Sequence, residues 1–283
     1  MKSARSHHRV CLAAATLGGI TVTFSANATL THYVPFDAGY PVGSNIGGTG
    51  GSDLGFGANT WFDNNPGNAI VSGNLTAPAG LPVAGNHAAT AGDFDLAFYT
   101  MDQDNGGDNG VVGEDNLGAG VHWLSFIGRA TDGADFGGLS FTKFFGPEIL
   151  YIGKVGGAGS NEWGFDQGAA GGQTVAGSDA TLDTFIVVRL TIGAGANDDT
   201  AEMFINPSLG SIAPMVADLT YSFNEDVNDN RAMDEIRLGS GGGSFAVDEI
   251  RIGTEFADVA LPEPAAAGLA FAGLALLGRA RRC

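Results

Sequence analysis

The segment from residue 102 to residue 110 concentrates side-chain oxygens that suit a hard cation. Asp102, Asp104 and Asp108 lie in the run Asp-Gln-Asp-Asn-Gly-Gly-Asp-Asn-Gly, and Ca²⁺ prefers carboxylate and amide oxygens. The spacing matches the start of a twelve-residue calcium loop, but Gly106 and Gly113 stand where that loop needs a ligand oxygen and a bidentate Glu. Two interpretations stay open: a weak calcium site, or a solvated acidic loop.

Two carboxyl groups on one strand could cleave a glycosidic bond if they lie on the same face. Retaining glycosidases need two carboxyl groups about 5–5.5 Å apart, and a Glu-x-Asp spacing on one strand supplies them because alternate residues share a face. The chain contains no Glu-x-Asp. The adjacent acidic pairs at 234–235 and 248–249 are predicted to point to opposite faces of their strands, so that neither pair acts together.

Other catalytic patterns are also missing. His32, His87 and His122 show no metal-binding spacing, and no Gly-x-Ser-x-Gly elbow supports a serine nucleophile. The glycine clusters do not precede predicted helices, as a phosphate-binding loop requires. We therefore expect a protein that is not an enzyme, with glycan hydrolysis as a remaining alternative.

Three tryptophans could contact a ligand. Trp61, Trp123 and Trp163 could stack on sugar rings if the rings are exposed on a sheet. Packing in the core is the alternative, because large aromatic side chains dominate the cores of sheet proteins.

Composition and charge restrict the class of partner. Gly accounts for 46 of 283 residues and charged residues for only 16%, which favours short strands and many turns over long helices. The chain has 13 Lys and Arg against 31 Asp and Glu, and residues 29–261 alone carry 7 basic and 30 acidic residues, a net charge of −23. This charge repels phosphate backbones, so we expect no nucleic-acid partner, and it attracts cations such as calcium.

The N-terminal residues 1–28 are typical of a secretory signal peptide. Three basic residues within the first nine precede an apolar segment from 10 to 24, and Ala26 and Ala28 form an A-x-A cleavage site. The two cysteines, Cys11 and Cys283, lie in the two chain ends, so the exported body is expected to have no thiol.

The C-terminal residues 261–283 have three parts in order. Pro262, Glu263 and Pro264 form a segment that excludes helix. An uncharged apolar run from 265 to 278 follows, and three arginines close the chain: Arg279, Arg281 and Arg282. The run of about 14 residues is shorter than the roughly 20 of a stable span, and the arginines are expected to stay cytoplasmic. The pattern predicts a transient membrane helix.

This tail resembles a PEP-CTERM sorting tail in its Pro-Glu-Pro tripeptide, its short helix and its arginine cluster. The resemblance implies that an exosortase, an integral-membrane transpeptidase, recognises the tail and removes the helix. It further implies partners in the secretion machinery and, since such tails are usual in bacteria that make exopolysaccharide, contact with that polymer. The exported protein is then expected at the cell surface or outside the cell.

The body between the two ends consists of predicted strands. Segments rich in Val, Ile, Thr and aromatic residues are separated by Gly, Asn and Asp, and we predict strands at 52–62, 68–75, 93–101, 121–130, 136–145, 148–155, 161–166, 184–192, 200–205, 217–223, 232–238 and 245–252. No sustained helical period occurs before residue 261. The segments 234–239 and 248–253 repeat the pattern Asp-Glu-Ile-Arg and are predicted to be neighbouring strands of a hairpin.

Residues 121–259 resemble a concanavalin A-like, laminin-G-like sandwich, as shown by segments such as 121–127, 136–141, 148–154 and 247–253. The resemblance implies an all-β fold, an antiparallel two-sheet jelly roll. The expected organisation is a signal peptide (1–28), a β-sandwich domain (29–260) and a sorting tail (261–283). The expected function is a structural or exopolysaccharide-associated role in the envelope or biofilm. Calcium-dependent carbohydrate binding is the first alternative.

Overall fold

The computed structural model describes residues 30–261 except 52, 57–58, 64–66, 84, 102–116, 132, 143–145, 158–160, 168–170, 194–197 and 224–232. These residues form fifteen strands and one short helix. The elements are β1 (Leu30–Val34), β2 (Phe62–Asp63), β3 (Ala69–Ser72), β4 (Asn86–Ala89), β5 (Asp93–Thr100), β6 (Gly120–Ala130), β7 (Phe136–Thr142), β8 (Glu148–Lys154), β9 (Trp163–Asp166), β10 (Gln173–Thr174), β11 (Thr184–Ile192), β12 (Asp199–Ile205), β13 (Leu219–Phe223), β14 (Glu235–Gly241), β15 (Phe245–Gly253) and α1 (Phe256–Ala260).

The strands form two antiparallel sheets. The larger sheet has the order β13-β12-β11-β6-β15-β4-β3, with β1 paired to the C-terminal half of β15, and the smaller sheet has the order β10-β9-β8-β7-β14-β5-β2. Every strand pair is antiparallel. The prediction of an all-β fold with two antiparallel sheets is therefore confirmed.

The main apolar core lies between the two sheets. Strands contribute alternate residues to it, as β8 does with Leu150 and Ile152, because successive side chains point to opposite faces. Each fully buried large apolar side chain contributes about 1.5–3 kcal/mol relative to an exposed one, so this core supplies most of the stability of the body.

A second apolar cluster covers the outer face of the larger sheet. Helix α1, the segment 75–83 and the loop after β12 pack there against side chains of β6, β11, β12 and β15. The rings of Phe204 and Phe256 lie 5.9 and 5.3 Å from the ring of Trp123. Helix α1 has only five residues, which is too short for a helical period to show in the sequence.

The predicted hairpin of 234–239 and 248–253 is wrong. Strand β14 pairs with β5 and β7 in the smaller sheet, whereas β15 pairs with β1, β4 and β6 in the larger sheet. The short connection 242–244 therefore crosses from one sheet to the other. Gly242, with φ of +68°, supplies the left-handed conformation that this crossing requires.

The prediction that Asp248 and Glu249 point to opposite faces is also wrong. A β-bulge interrupts the pairing of β15 with β6 between residues 248 and 251, and Glu249 has a φ of +55°. Val247 and Ile250 both lie in the main core, which places the two intervening carboxylates on the outer face of the larger sheet. The extra residue of a bulge breaks the strict alternation on which the prediction depends.

The predicted strand at 52–62 is largely wrong, and three strands were not predicted. Among the described residues of that segment only Phe62 belongs to a strand, because Gly51, just before it, and Gly55 adopt φ values of +90° and +81° and turn the chain. Strands β4 and β10 are short and carry no clear pattern in the sequence, whereas β1 contains the strand-favouring Thr31, Tyr33 and Val34 within only five residues.

Candidate functional site

A row of aligned side chains crosses the outer face of the smaller sheet. The register pairs Phe98 with Arg237, Arg237 with Ser140, Ser140 with Tyr151, and Tyr151 with Asp166. The neighbours of these residues along each strand face the main core, so the row points away from it. Across five strands the row measures about 19 Å at the usual spacing of about 4.8 Å between strands.

A second row, made mostly of glycine, runs beside the first. Gly239, Gly138, Gly153 and Gly164 are paired across β14, β7, β8 and β9, and each lies two residues from a member of the first row. A methyl group at Gly138 would meet the ring of Tyr151 at 2.7 Å. The glycines therefore leave a flat floor over which this ring can lie.

Tyr151 is fixed on this floor. Its hydroxyl donates a hydrogen bond to the carbonyl oxygen of Lys154 at 2.9 Å, and the ring of Phe136 contacts it edge-on at 6.4 Å. Burial, as the largest cause, raises the pKa of the Tyr151 hydroxyl well above its ordinary value, with the nearby carboxylates of Glu148 and Asp166 acting in the same direction. Tyr151 therefore acts as a neutral hydrogen-bonding group.

Arg237 joins three groups of the face. Its guanidinium donates to Glu148 Oε2 in an ion pair, its Nε donates to Ser140 Oγ at 3.1 Å, and it lies 6.0 Å from the centre of the Phe98 ring. Since the ion pair is mostly buried, the guanidinium is oriented before any ligand arrives.

Asp166 carries the unsatisfied group of the site. Its Oδ1 is buried and has no hydrogen-bond partner among the described residues, and burial raises the pKa of its carboxyl. A buried polar atom without a partner costs about 1–3 kcal/mol. Because this oxygen has almost no accessible surface, the Asp166 side chain must shift toward the pocket before a ligand hydroxyl can donate to it and recover part of that cost.

These groups line a pocket of about 360 Å³ on the smaller sheet, and the lining residues are Leu96, Phe136, Glu148, Tyr151, Gly156, Asp166 and Arg237. Beyond the pocket, at the other end of the row, Phe62 is 50% exposed and lies 6.4 Å from Phe98. Oriented polar groups beside exposed aromatic rings on a flat floor can hold a ring that carries hydroxyl groups.

A separate charged cluster lies under the segment 75–83 on the larger sheet. Arg251 donates to Glu249 Oε2 and to the carbonyl oxygen of Pro82, each at 2.7 Å, and the Tyr33 hydroxyl donates to the same Glu249 oxygen at 2.7 Å. Asp248 Oδ2 accepts a hydrogen bond from the backbone N–H of Leu75 at 3.1 Å.

Asp248 is the most perturbed acid of this cluster. Burial, and secondly the charge of Glu249, raises the pKa of Asp248 to about 8. Because Asp248, Glu249 and Arg251 are buried and hold the segment 75–83 in place, we assign the cluster a structural role.

The three tryptophans do not form a sugar platform. Trp61 and Trp163 lie in the main core and Trp123 lies in the second cluster, and all three are buried. Among the described residues of the smaller sheet, the exposed aromatic ring is that of Phe62 instead.

The other predicted site residues lie outside the described residues. They are the calcium candidates Asp102, Asp104 and Asp108, the cleavage residues Ala26 and Ala28, the sorting motif Pro262, Glu263 and Pro264, and the arginines Arg279, Arg281 and Arg282. In the part of the chain that the structure describes, no group of three or more acidic, His or Cys residues could hold a metal ion. Among those same residues, no helix has the length and apolarity to cross a bilayer.

The pocket residues were not predicted from the sequence. Arg237, Ser140, Tyr151 and Gly164 each stand between two core residues of their strands, and this interruption of an apolar run is a usable signal. Their alignment depends on the register of five strands, which a single sequence does not specify.

Comparisons with known proteins show similarity of fold only. No protein-family model and no curated protein matches the chain. Domain 4 of an extracellular arabinanase from Geobacillus stearothermophilus, in complex with arabinotriose, is 14% identical over 83% of this chain and 100% of that chain, with a TM-score of 0.43. A glycosyl hydrolase family protein from Mycobacterium fortuitum is 13% identical over 79% and 99%, with a TM-score of 0.40. A cellulose-induced protein is 14% identical over 69% and 91%, with a TM-score of 0.38.

Proposed function

We propose that the chain is an exported surface protein with a concanavalin A-like body that binds an extracellular polysaccharide on its smaller sheet and performs no catalysis. The observation that carries the binding role is the pair of aligned rows across this sheet, one polar and aromatic, the other glycine. A row of side chains about 19 Å long suits an extended polymer better than a single small molecule. The net charge of −23 for residues 29–261 favours a neutral glycan over an acidic one.

Export and sorting form the second part of the proposal. The A-x-A site at Ala26 and Ala28 and the Pro-Glu-Pro tail support cleavage at both ends, the second by an exosortase. Intact mass of the exported protein tests this directly. A mass that corresponds to a chain beginning at Thr29 and lacking the apolar tail supports the proposal, and retention of 265–283 in a host that encodes an exosortase contradicts it.

Binding can be tested with Asp166→Asn and Phe62→Ala. The first variant keeps the size of the side chain but removes the carboxylate with the unpaired oxygen, and the second removes an exposed ring. Each is expected to weaken binding to a neutral exopolysaccharide roughly tenfold, the effect of about 1.4 kcal/mol. The control Glu202→Gln lies on the larger sheet, in an ion pair with Arg189, and should bind as the wild type does. Equal affinity of all four proteins contradicts the site.

Calcium dependence and catalysis separate the alternatives. If EDTA abolishes binding and added calcium restores it, and if an Asp104→Asn variant does not bind even with calcium, the calcium-dependent lectin is favoured. Glycan cleavage has one specific observation in its favour, since the raised pKa of Asp166 in a pocket with Glu148 is a feature of acid–base sites. Release of reducing ends from the bound polymer, lost in Asp166→Asn and in Glu148→Gln, would establish an enzyme and refute the non-catalytic part of the proposal.

A further inference from the structure

The connection between β12 and β13 presents an apolar tip to solvent. Residues 206–217 contain no charged residue, although the body as a whole is strongly acidic. Within them, Ile212, Met215 and Val216 are 84%, 99% and 81% exposed. We call residues 206–217 the apolar loop.

The structure holds the apolar loop in this orientation. At its start, the N–H of Asn206 donates to the carbonyl oxygen of Phe185 at 2.8 Å, and the Phe185 N–H donates to Asn206 Oδ1 at 3.0 Å. At its end, Asp218 donates its N–H to the Met203 carbonyl oxygen at 2.9 Å and accepts from the Ile205 N–H at 2.7 Å. The exposure of the tip is therefore a property of an anchored loop.

The inner side of the apolar loop packs beside the helix from which the tail departs. Leu209, Ala213 and Ala217 contact the second apolar cluster, to which helix α1 also belongs. Ser125 Oγ donates to the Val259 carbonyl oxygen at 2.9 Å and fixes the end of this helix on the same sheet. The loop and the exit point of the C-terminal tail thus share one face of the sandwich.

The tail brings this face close to the membrane. Only four peptide steps separate Leu261 from Ala265, where the apolar run begins, and four extended residues measure at most about 14 Å. While the helix of the tail is in the bilayer, as the Proposed function has it, Leu261 at the end of helix α1 must lie within this distance of the lipid surface, and the apolar loop packs beside this helix.

We infer that the apolar loop is a membrane-contacting surface that inserts Ile212, Met215 and Val216 into the outer side of the bilayer before the tail is removed. Apolar side chains that are strongly exposed at the tip of a loop can insert between lipids. A flat interface with a second protein does not require such exposure. The acidic remainder of the body is repelled by anionic lipid, so the uncharged loop is the part of this face that can dock. This inference rests on the proposed sorting tail.

The test uses the exported chain with its tail intact, from a bacterial host without an exosortase, reconstituted into phosphatidylcholine vesicles with or without brominated acyl chains. Met215→Trp places a reporter on the loop tip, and Phe62→Trp places a matched reporter at a half-exposed position on the opposite face. Bromine quenches tryptophan only at short range, and the emission of the wild-type chain, with its three buried tryptophans, is subtracted.

Brominated lipid is expected to quench the Met215→Trp reporter and to leave the Phe62→Trp reporter unchanged. Equal emission of the Met215→Trp reporter in both kinds of vesicle, or equal quenching of the two reporters, overturns the inference while the tail stands. The inference is also overturned if cross-linking shows that the loop tip contacts a second copy of the chain and brominated lipid does not quench the Met215→Trp reporter. If the wild-type chain does not float with vesicles, the sorting tail itself is refuted, and the inference falls with it.

Discussion

The buried carboxyl of Asp248 makes the stability of this protein depend on pH in an unusual direction. Its pKa is raised in the folded state to about 8, whereas an unfolded Asp titrates near 3.9. The folded protein therefore binds a proton at this site that the unfolded chain releases. The stabilisation is complete below the unfolded pKa and is lost as the pH rises through the folded pKa.

The magnitude follows from the proton that differs between the two states. Between about pH 5 and about pH 7 the difference approaches one proton, so the free energy of unfolding falls by up to about 1.4 kcal/mol per pH unit, or about 3 kcal/mol over this range. Asp248→Asn removes the titration but retains an oxygen that can accept from the Leu75 N–H. We expect the variant to lack this fall.

Urea unfolding followed by tryptophan emission at several pH values measures the effect. The comparison with the wild type is essential because burial lowers the pKa of His32 to about 4, and a histidine with a lowered pKa makes stability rise with pH instead. The matched control for the loss of one carboxylate is Asp218→Asn, because Asp218 is exposed. If Asp248→Asn and the wild type show the same slope, the reasoning about this buried carboxyl is refuted.

Two further pairs of substitutions test charge burial and packing by the same urea unfolding. Arg251→Met leaves Glu249 buried without its cation and should lower the free energy of unfolding by about 3–5 kcal/mol. Its control, Arg129→Met, breaks an exposed ion pair and should lower it by about 0–1 kcal/mol. Similar losses in the two variants would refute the structural role of the buried cluster. Gly92→Ala, at a φ of +97°, adds a methyl group 2.8 Å from the facing backbone and should cost more than about 2 kcal/mol. Gly73→Ala, at a similar φ but in open space, should cost about 1 kcal/mol, and equal losses would show that the close approach is relieved.

The sequence predicted the layers of the fold because they depend on local patterns. Strands such as β6, β8 and β11 are long and rich in β-branched and aromatic residues, and their predicted bounds differ from the observed ones by one residue or less. The assignment of β14 and β15 to one hairpin failed because a short glycine-rich connection can join strands of one sheet or of two. Only the packing of both sheets decides between these possibilities.

The candidate site depends on contacts that are distant along the chain. Arg237 and Glu148 are 89 residues apart, and Asp166 joins them only through the register of β8 and β9. No short motif records this arrangement. The tryptophans show the opposite case: they are a residue type that often binds sugars, but here they pack in the core and form no site.

The first strand of the body is hydrogen bonded to the last, with Leu30 opposite Gly253. Residues 254–261, which include the short helix α1, connect Gly253 to the start of the tail. The residues before Leu30 and after Leu261 therefore leave the sandwich at one corner. Under the proposed processing at both ends, two membrane-bound proteases acting in succession would find both of their cutting points on the same side of the body, and neither would require the domain to turn over.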